Sequence, residues 1–115
     1  VTPITEDAKV ILYTWRDKAG KETFWHSSAH VLAQVLEHIY PGIKLTIGPA
    51  IENGFYYDVD MPEGEVISDT DFKNIENTFM EFARQKAEFK MKSVSKADAL
   101  KLYKDAGNEF KVELI

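Results

Sequence analysis

The sequence contains no cysteine, so it forms no disulfide framework and offers no thiolate as a nucleophile or metal ligand. That absence fits a reducing compartment. It has no apolar run near the roughly 20 residues that cross a bilayer. Its first residues, with Pro3, Glu6 and Asp7 among them, do not resemble a signal peptide. A cytoplasmic chain without a membrane partner is expected. Positive charge is short as well: the net charge of −5 argues against a stand-alone nucleic-acid binder, whose affinity rests on clustered Lys and Arg neutralising phosphates. A nucleic acid can still be brought to such a chain by other parts of a larger protein. There is no internal repeat and no low-complexity tract. An initial Met is missing, and the chain stops in the alternating run Phe110-Lys111-Val112-Glu113-Leu114-Ile115. The expectation is a fragment whose last strand is cut, since domain boundaries fall more often in polar linkers.

What is present is ordinary for a globular domain: 115 residues, 44% of them hydrophobic, enough for one modest core. The stretch around which the chain is organised is His26-Ser27-Ser28-Ala29-His30. Phe24-Trp25, Ala29, Val31-Leu32, Val35-Leu36 and Ile39-Tyr40 recur at helical spacing, the signature of a helix laid on a core. Its start is expected between Asp17 and Thr23, and Pro41-Gly42 marks its end. At about 100° per residue, His26, His30, Ala33 and Glu37 form a strip at the edge of the apolar arc. The two imidazoles stand four positions apart, so one can orient what the other activates, or both can hold a common ion or water. A pair at this spacing also occurs often by chance at a core edge. The metalloprotease helix that spaces histidines this way needs Glu directly after the first, and here that residue is Ser27. Zinc would need a third and usually a fourth ligand. His38 falls on the other border of the arc and reads as structural or solvent-facing.

Around this helix the pattern predicts strands at Ala8–Trp15, Ile43–Ile47, Phe55–Met61, Phe89–Val94 and the C-terminal run. In the third of these, Phe55, Tyr57, Val59 and Met61 share one face and Tyr56, Asp58 and Asp60 the other. It is expected to pair antiparallel with Ile43–Ile47, with Asn53-Gly54 supplying positive φ angles in a tight turn. Ser68 with Asp71 resembles a capping box opening a helix to about Ala87, striped by Phe72, Ile75, Phe79 and Phe82. Ser95 with Asp98 opens a shorter one, stopped at Ala106-Gly107-Asn108. The order β-α-β-β-α-β-α-β argues for an α+β fold, a mostly antiparallel sheet with helices packed against it. Lys86, Lys90, Lys92, Lys96, Lys101 and Lys104 concentrate positive charge on the later helices; they suit a solvated face or a phosphate backbone.

The histidine pentad is followed seventeen residues later by Ile47-Gly48-Pro49-Ala50-Ile51-Glu52-Asn53-Gly54-Phe55-Tyr56-Tyr57-Asp58. This combined pattern resembles the N-terminal editing domain of bacterial-type threonyl-tRNA synthetases, which is related to the editing domains of alanyl-tRNA synthetases. The resemblance covers the whole chain: residues 1–15 look like the tail of a preceding ubiquitin-like (TGS) domain or a linker strand, and residues 16–115 like the first part of the editing domain. It implies that the full protein ligates threonine to tRNA(Thr) with ATP, and that this part hydrolyses the ester of serine mischarged to that tRNA. By the same similarity His26 and His30 belong to the hydrolytic site, and Tyr57 and Asp58 match substrate-binding positions near it, Tyr57 being the better candidate for direct contact. The implied partners are the 3′ end of tRNA(Thr) carrying serine and the rest of the synthetase chain, in a homodimeric parent. No cofactor is expected in this part, while ATP, magnesium and zinc belong to the synthetic domain. The Cys-x-x-x-His motif that completes the family's editing site is missing from these residues, so the chain is expected to be incomplete or inactive alone.

Three other readings stay open. An alanyl-type editing protein would use His26 and His30 as possible zinc ligands. A non-catalytic interaction module would have histidines that only border a core, and a metallohydrolase assembled from two chains would bind stoichiometric zinc.

Overall fold

A computed structural model describes residues 3–115; the first two positions of the expected 1–15 tail lie outside the described residues. The fold is α+β. A 22-residue helix, α1 (Lys18–Ile39), is followed by four two-residue strands, β1 (Lys44–Leu45), β2 (Ala50–Ile51), β3 (Gly54–Phe55) and β4 (Val59–Asp60). A 3₁₀ turn at Asp69–Asp71 leads into α2 (Phe72–Arg84), and α3 (Lys96–Asp105) and α4 (Glu109–Leu114) close the chain. Among the described residues no helix is long and apolar enough to cross a membrane.

Helix α1 forms where its apolar period predicts. At its start the Asp17 carboxylate turns back to accept from the Thr14 amide (2.8 Å) and hydroxyl (3.2 Å), making a turn just before the first helical residue. At its end Pro41 cannot continue the helix, and the last amide bond runs from Tyr40 to the Leu36 carbonyl. It buries Ala29, Ala33, Val35 and Leu36, of which Ala33 and Leu36 meet Ile43 and Leu45 in the core, with Tyr57, Val59, Met61 and Ile75 packed against them. Burying one such aliphatic side chain contributes about 1.5–3 kcal/mol, which makes this cluster the main anchor of the helix.

The expected antiparallel pairing is present as β1–β4, with Lys44 opposite Asp60 and Leu45 opposite Val59. It is prolonged by Thr46 N–H to the Asp58 carbonyl (3.1 Å) and Asp58 N–H to the Ile47 carbonyl (2.9 Å). The strand expected over Phe55–Met61 is divided, however, because Phe55 pairs instead with Ala50 in the β2–β3 hairpin. The turn of that hairpin meets expectation in part: Gly54 takes a positive φ of 157°, whereas Asn53 keeps a negative one. The alternation itself holds, with Phe55, Tyr57, Val59 and Met61 half-buried and Tyr56, Asp58 and Asp60 exposed.

Three expected strands are absent. Ala8–Trp15 and Phe89–Val94 carry no regular structure and lie exposed, Leu12 by 83% and Met91 by 91%. β-branched and aromatic residues favour a strand only when a partner completes the ladder, and among the described residues neither segment has one. The C-terminal run is helix α4, started by Asn108, whose side-chain oxygen accepts from the Lys111 amide at 3.0 Å. Asn108 also ends α3: its amide donates to the Tyr103 carbonyl (2.9 Å) and that of Gly107, at φ +70°, to Lys104 (3.0 Å), the paired bonds of a Schellman motif. Three alternating apolar residues are too few to outweigh that cap.

The two helix starts marked by Ser and Asp are found. The Asp71 carboxylate accepts from the amide (2.8 Å) and hydroxyl (3.1 Å) of Ser68, which holds its pKa below the usual carboxylate value. Ser95 accepts from the Asp98 amide at 3.1 Å. Helix α2 ends at Arg84, short of Ala87, where Lys86 takes φ 50°. Its Ile75, Phe79 and Phe82 face inward, whereas Phe72 stays exposed. His38 is exposed, with its ring edge-on to Phe82 at 5.5 Å.

Candidate functional site

Because α1 buries Ala29 and Ala33, the neighbouring strip carrying His26 and His30 faces outward, and both rings are exposed. Their Nε2 atoms lie 3.1 Å apart and the ring planes are nearly perpendicular, with centroids 4.7 Å apart. A hydrogen bond between two Nε2 atoms needs one N–H donor and one lone pair, so the two rings take complementary tautomers. The pKa of His30 is lowered from 6.5, first by desolvation, then by the charges of His26 and Lys111. The unfolded chain then binds more protons than the folded one in this range, so this group weakens the fold as pH drops below its ordinary value.

Lys111 belongs to α4 and is half-buried. It joins the site from 81 positions away, out of a segment that reads as a strand, and no local pattern announces it. Replacing Lys111 by Met is expected to raise the His30 pKa back toward the ordinary value; an NMR titration of the imidazole resonances checks this, and an unmoved or lowered midpoint would remove Lys111 from the site.

An open cleft of about 870 Å³ lies beside His26, with Arg16, Lys21, Trp25 and Asn53 on its walls. A smaller one of about 290 Å³ lies beside His30, bounded by Ser27, Gln34, Phe82 and Phe89. Tyr57 is half-buried elsewhere: its pKa is raised by desolvation and by the fields of Glu37 and Tyr103, which keeps the hydroxyl protonated. Glu37 lies seven residues beyond His30 on the same strip, about 10 Å along the helix. Asp58 is exposed on the opposite face of the strand, its backbone tied to Thr46 and Ile47. The fold thus brings the two histidines together and puts Tyr57 along the same helix. It turns Asp58 the other way. Among the described residues no group of three or more His, Asp or Glu side chains is gathered to hold a metal ion, so the pair alone does not make a zinc site.

The threonine–tRNA ligase of Flavobacterium psychrophilum is 58% identical over 114 residues, 99% of this chain and 17% of the relative. That of Flavobacterium johnsoniae is 60% identical over the same shares, and that of Parabacteroides distasonis 54% identical over 98% and 17%. Over nearly its whole length the chain is similar to threonine–tRNA ligases. It spans about 17% of the length of these ligases. No protein-family model matches it. Both the histidine pentad and the segment Ile47–Asp58 fall within the part shared with the ligases.

Proposed function

We propose that this chain is part of a cytoplasmic threonine–tRNA ligase, and that its histidine face hydrolyses serine mischarged to tRNA(Thr). The observation that supports the reading most is the exposed His26–His30 pair, Nε2 to Nε2 at 3.1 Å, in a chain similar to these ligases over nearly its whole length. The need for such a step is chemical. Serine lacks one methyl group of threonine, so a site built for threonine rejects it by only about 1–3 kcal/mol, roughly 10–200-fold.

In the proposed step one neutral imidazole takes a proton from the water that attacks the ester carbonyl. The pair then returns a proton to the departing ribose oxygen, releasing serine and free tRNA. The lowered pKa of His30 keeps the accepting lone pair available near neutral pH. Lys111 faces the negative charge that develops on the carbonyl oxygen. Residues 1–15 serve as the tail of a preceding domain and residues 16–115 as the first part of the editing domain, whose remaining polar groups come from elsewhere in the longer chain. Tyr57 lines the substrate side, and Asp58 orients a neighbour. The ligation itself, with ATP, magnesium, zinc and a homodimeric assembly, belongs to the longer protein.

The test is the release of amino acid from Ser-tRNA(Thr) and Thr-tRNA(Thr) by the full-length ligase carrying this segment. Serine is expected to be lost selectively, by more than the roughly 10–200-fold that one methyl group supplies in a binding pocket. Survival of both esters would overturn the assignment.

A further inference from the structure

We infer that Glu37, in the last turn of α1, is a positioning residue for Tyr57: its carboxylate draws the phenol O–H toward itself and leaves the oxygen's lone pairs turned toward the substrate. That role rests on the editing reading, in which Tyr57 lines the substrate side, while the placement of Glu37 supports it independently. The face of α1 that carries His26 and His30 continues through Ala33 to Glu37. Ala33 and Leu36 are buried with Ile43 and Leu45, and the Tyr57 ring packs on that same cluster, so the ring is held beside the last turns of the helix. An open cleft of about 490 Å³ is walled there by Glu37, Ile43, Lys44 of β1, and Tyr103 and Asn108 at the end of α3. It has room for a water, and one water can link polar groups that do not meet directly. Two of its walls act on the Tyr57 hydroxyl. Desolvation raises the Tyr57 pKa most, and Glu37 and then Tyr103 add to it through charge rather than through a direct hydrogen bond.

The position of Glu37 on the helix is a second sign. Helix C-termini favour cations, and the last turn of α1 holds His38 next to it, so a carboxylate gains nothing from the helix dipole there. Among the described residues Glu37 has no ion-pair partner, Lys44 in the same cleft included. Its side chain is exposed, so the core does not need it either. What remains is the group its charge reaches. A phenol both donates and accepts, and an anion fixed on one side decides which way the O–H points before the substrate arrives. The turn at Asn108 that borders this cleft also starts α4, whose Lys111 acts on His30. One turn therefore serves both ends of the histidine strip.

The experiment uses the full-length ligase with 3-fluorotyrosine in place of Tyr57 alone, titrated by fluorine NMR. Glu37→Gln should move the midpoint down, because a nearby negative charge helps to hold it up. Glu37→Asp, which keeps the charge, should restore most of the shift. In Ser-tRNA(Thr) hydrolysis Glu37→Gln should raise KM about three- to tenfold, the range of one hydrogen bond, with kcat within about twofold. In a Tyr57→Phe background the same change should move KM by less than about twofold, since no hydroxyl is left to orient. An unmoved fluorine midpoint, or a KM rise as large in the Tyr57→Phe background, would overturn the positioning role. Failure of the editing reading shows up differently: Ser-tRNA(Thr) hydrolysis would be indifferent to both His26→Ala and Tyr57→Phe, and the fluorine titration would still decide whether Glu37 acts on Tyr57.

Discussion

His30→Ala in the full-length ligase is expected to slow hydrolysis of Ser-tRNA(Thr) by about 10²–10⁴-fold, the usual contribution of a positioned acid–base group. His26→Ala should cost nearly as much. The reason lies in the 3.1 Å contact between their Nε2 atoms: each ring sets the tautomer of the other, so removing either dismantles the unit. The double variant should therefore be little worse than the worse single one, a strong departure from additivity. Both side chains are exposed and neither belongs to the buried face of α1, so the fold should survive, and circular dichroism separates lost chemistry from lost structure. The wild-type rate should rise with pH and level off above the lowered pKa of His30, since only the neutral ring accepts a proton. Folded single variants with wild-type rates would return the pair to the role of a core border.

The features legible in the sequence are those whose causes are local. Helix α1 carries its period over 22 residues and is closed by a proline, so both the element and the four-residue spacing of its histidines could be read directly. The caps at Ser68 and Ser95 depend on a hydrogen-bond partner three residues away, and the alternation from Phe55 to Met61 reports the two faces of one strand. What stayed hidden depends on partners distant in sequence. Ala8–Trp15 has the composition of a strand, yet composition does not say whether an edge is available to receive it. The division of Phe55–Met61 between two sheets follows from the competing hairpin with Ala50, and either pairing satisfies the same alternation. The charge of Lys111 is felt at His30 because Asn108 ends α3 and starts α4 in one residue, and α4 folds back against β1.

Gly48→Ala is expected to destabilise the chain by about 1–3 kcal/mol, the usual range for forcing extra volume into packed structure, and to impair hydrolysis by moving Tyr57. A β-carbon at Gly48 would sit 2.2 Å from Cδ2 and 2.4 Å from Cε2 of the Tyr57 ring, far inside contact distance. The ring cannot simply swing aside. It is packed against the Ala33–Leu36–Ile43–Leu45 cluster, and the next residue, Asp58, is hydrogen-bonded through its backbone to both Thr46 and Ile47. Relief would require breaking that ladder or pulling the ring from the core, which explains physically why glycine stands beside Pro49 at this point. A double-mutant cycle isolates the cause: in a Tyr57→Ala background the same Gly48→Ala change should cost little, giving a coupling energy of about 1 kcal/mol or more in chemical denaturation. Tyr57→Phe, which keeps the ring and removes only the hydroxyl, should leave stability nearly unchanged and report on substrate contact alone. Additive costs for Gly48→Ala and Tyr57→Ala would show that the glycine serves the backbone of its own turn rather than the ring lying over it.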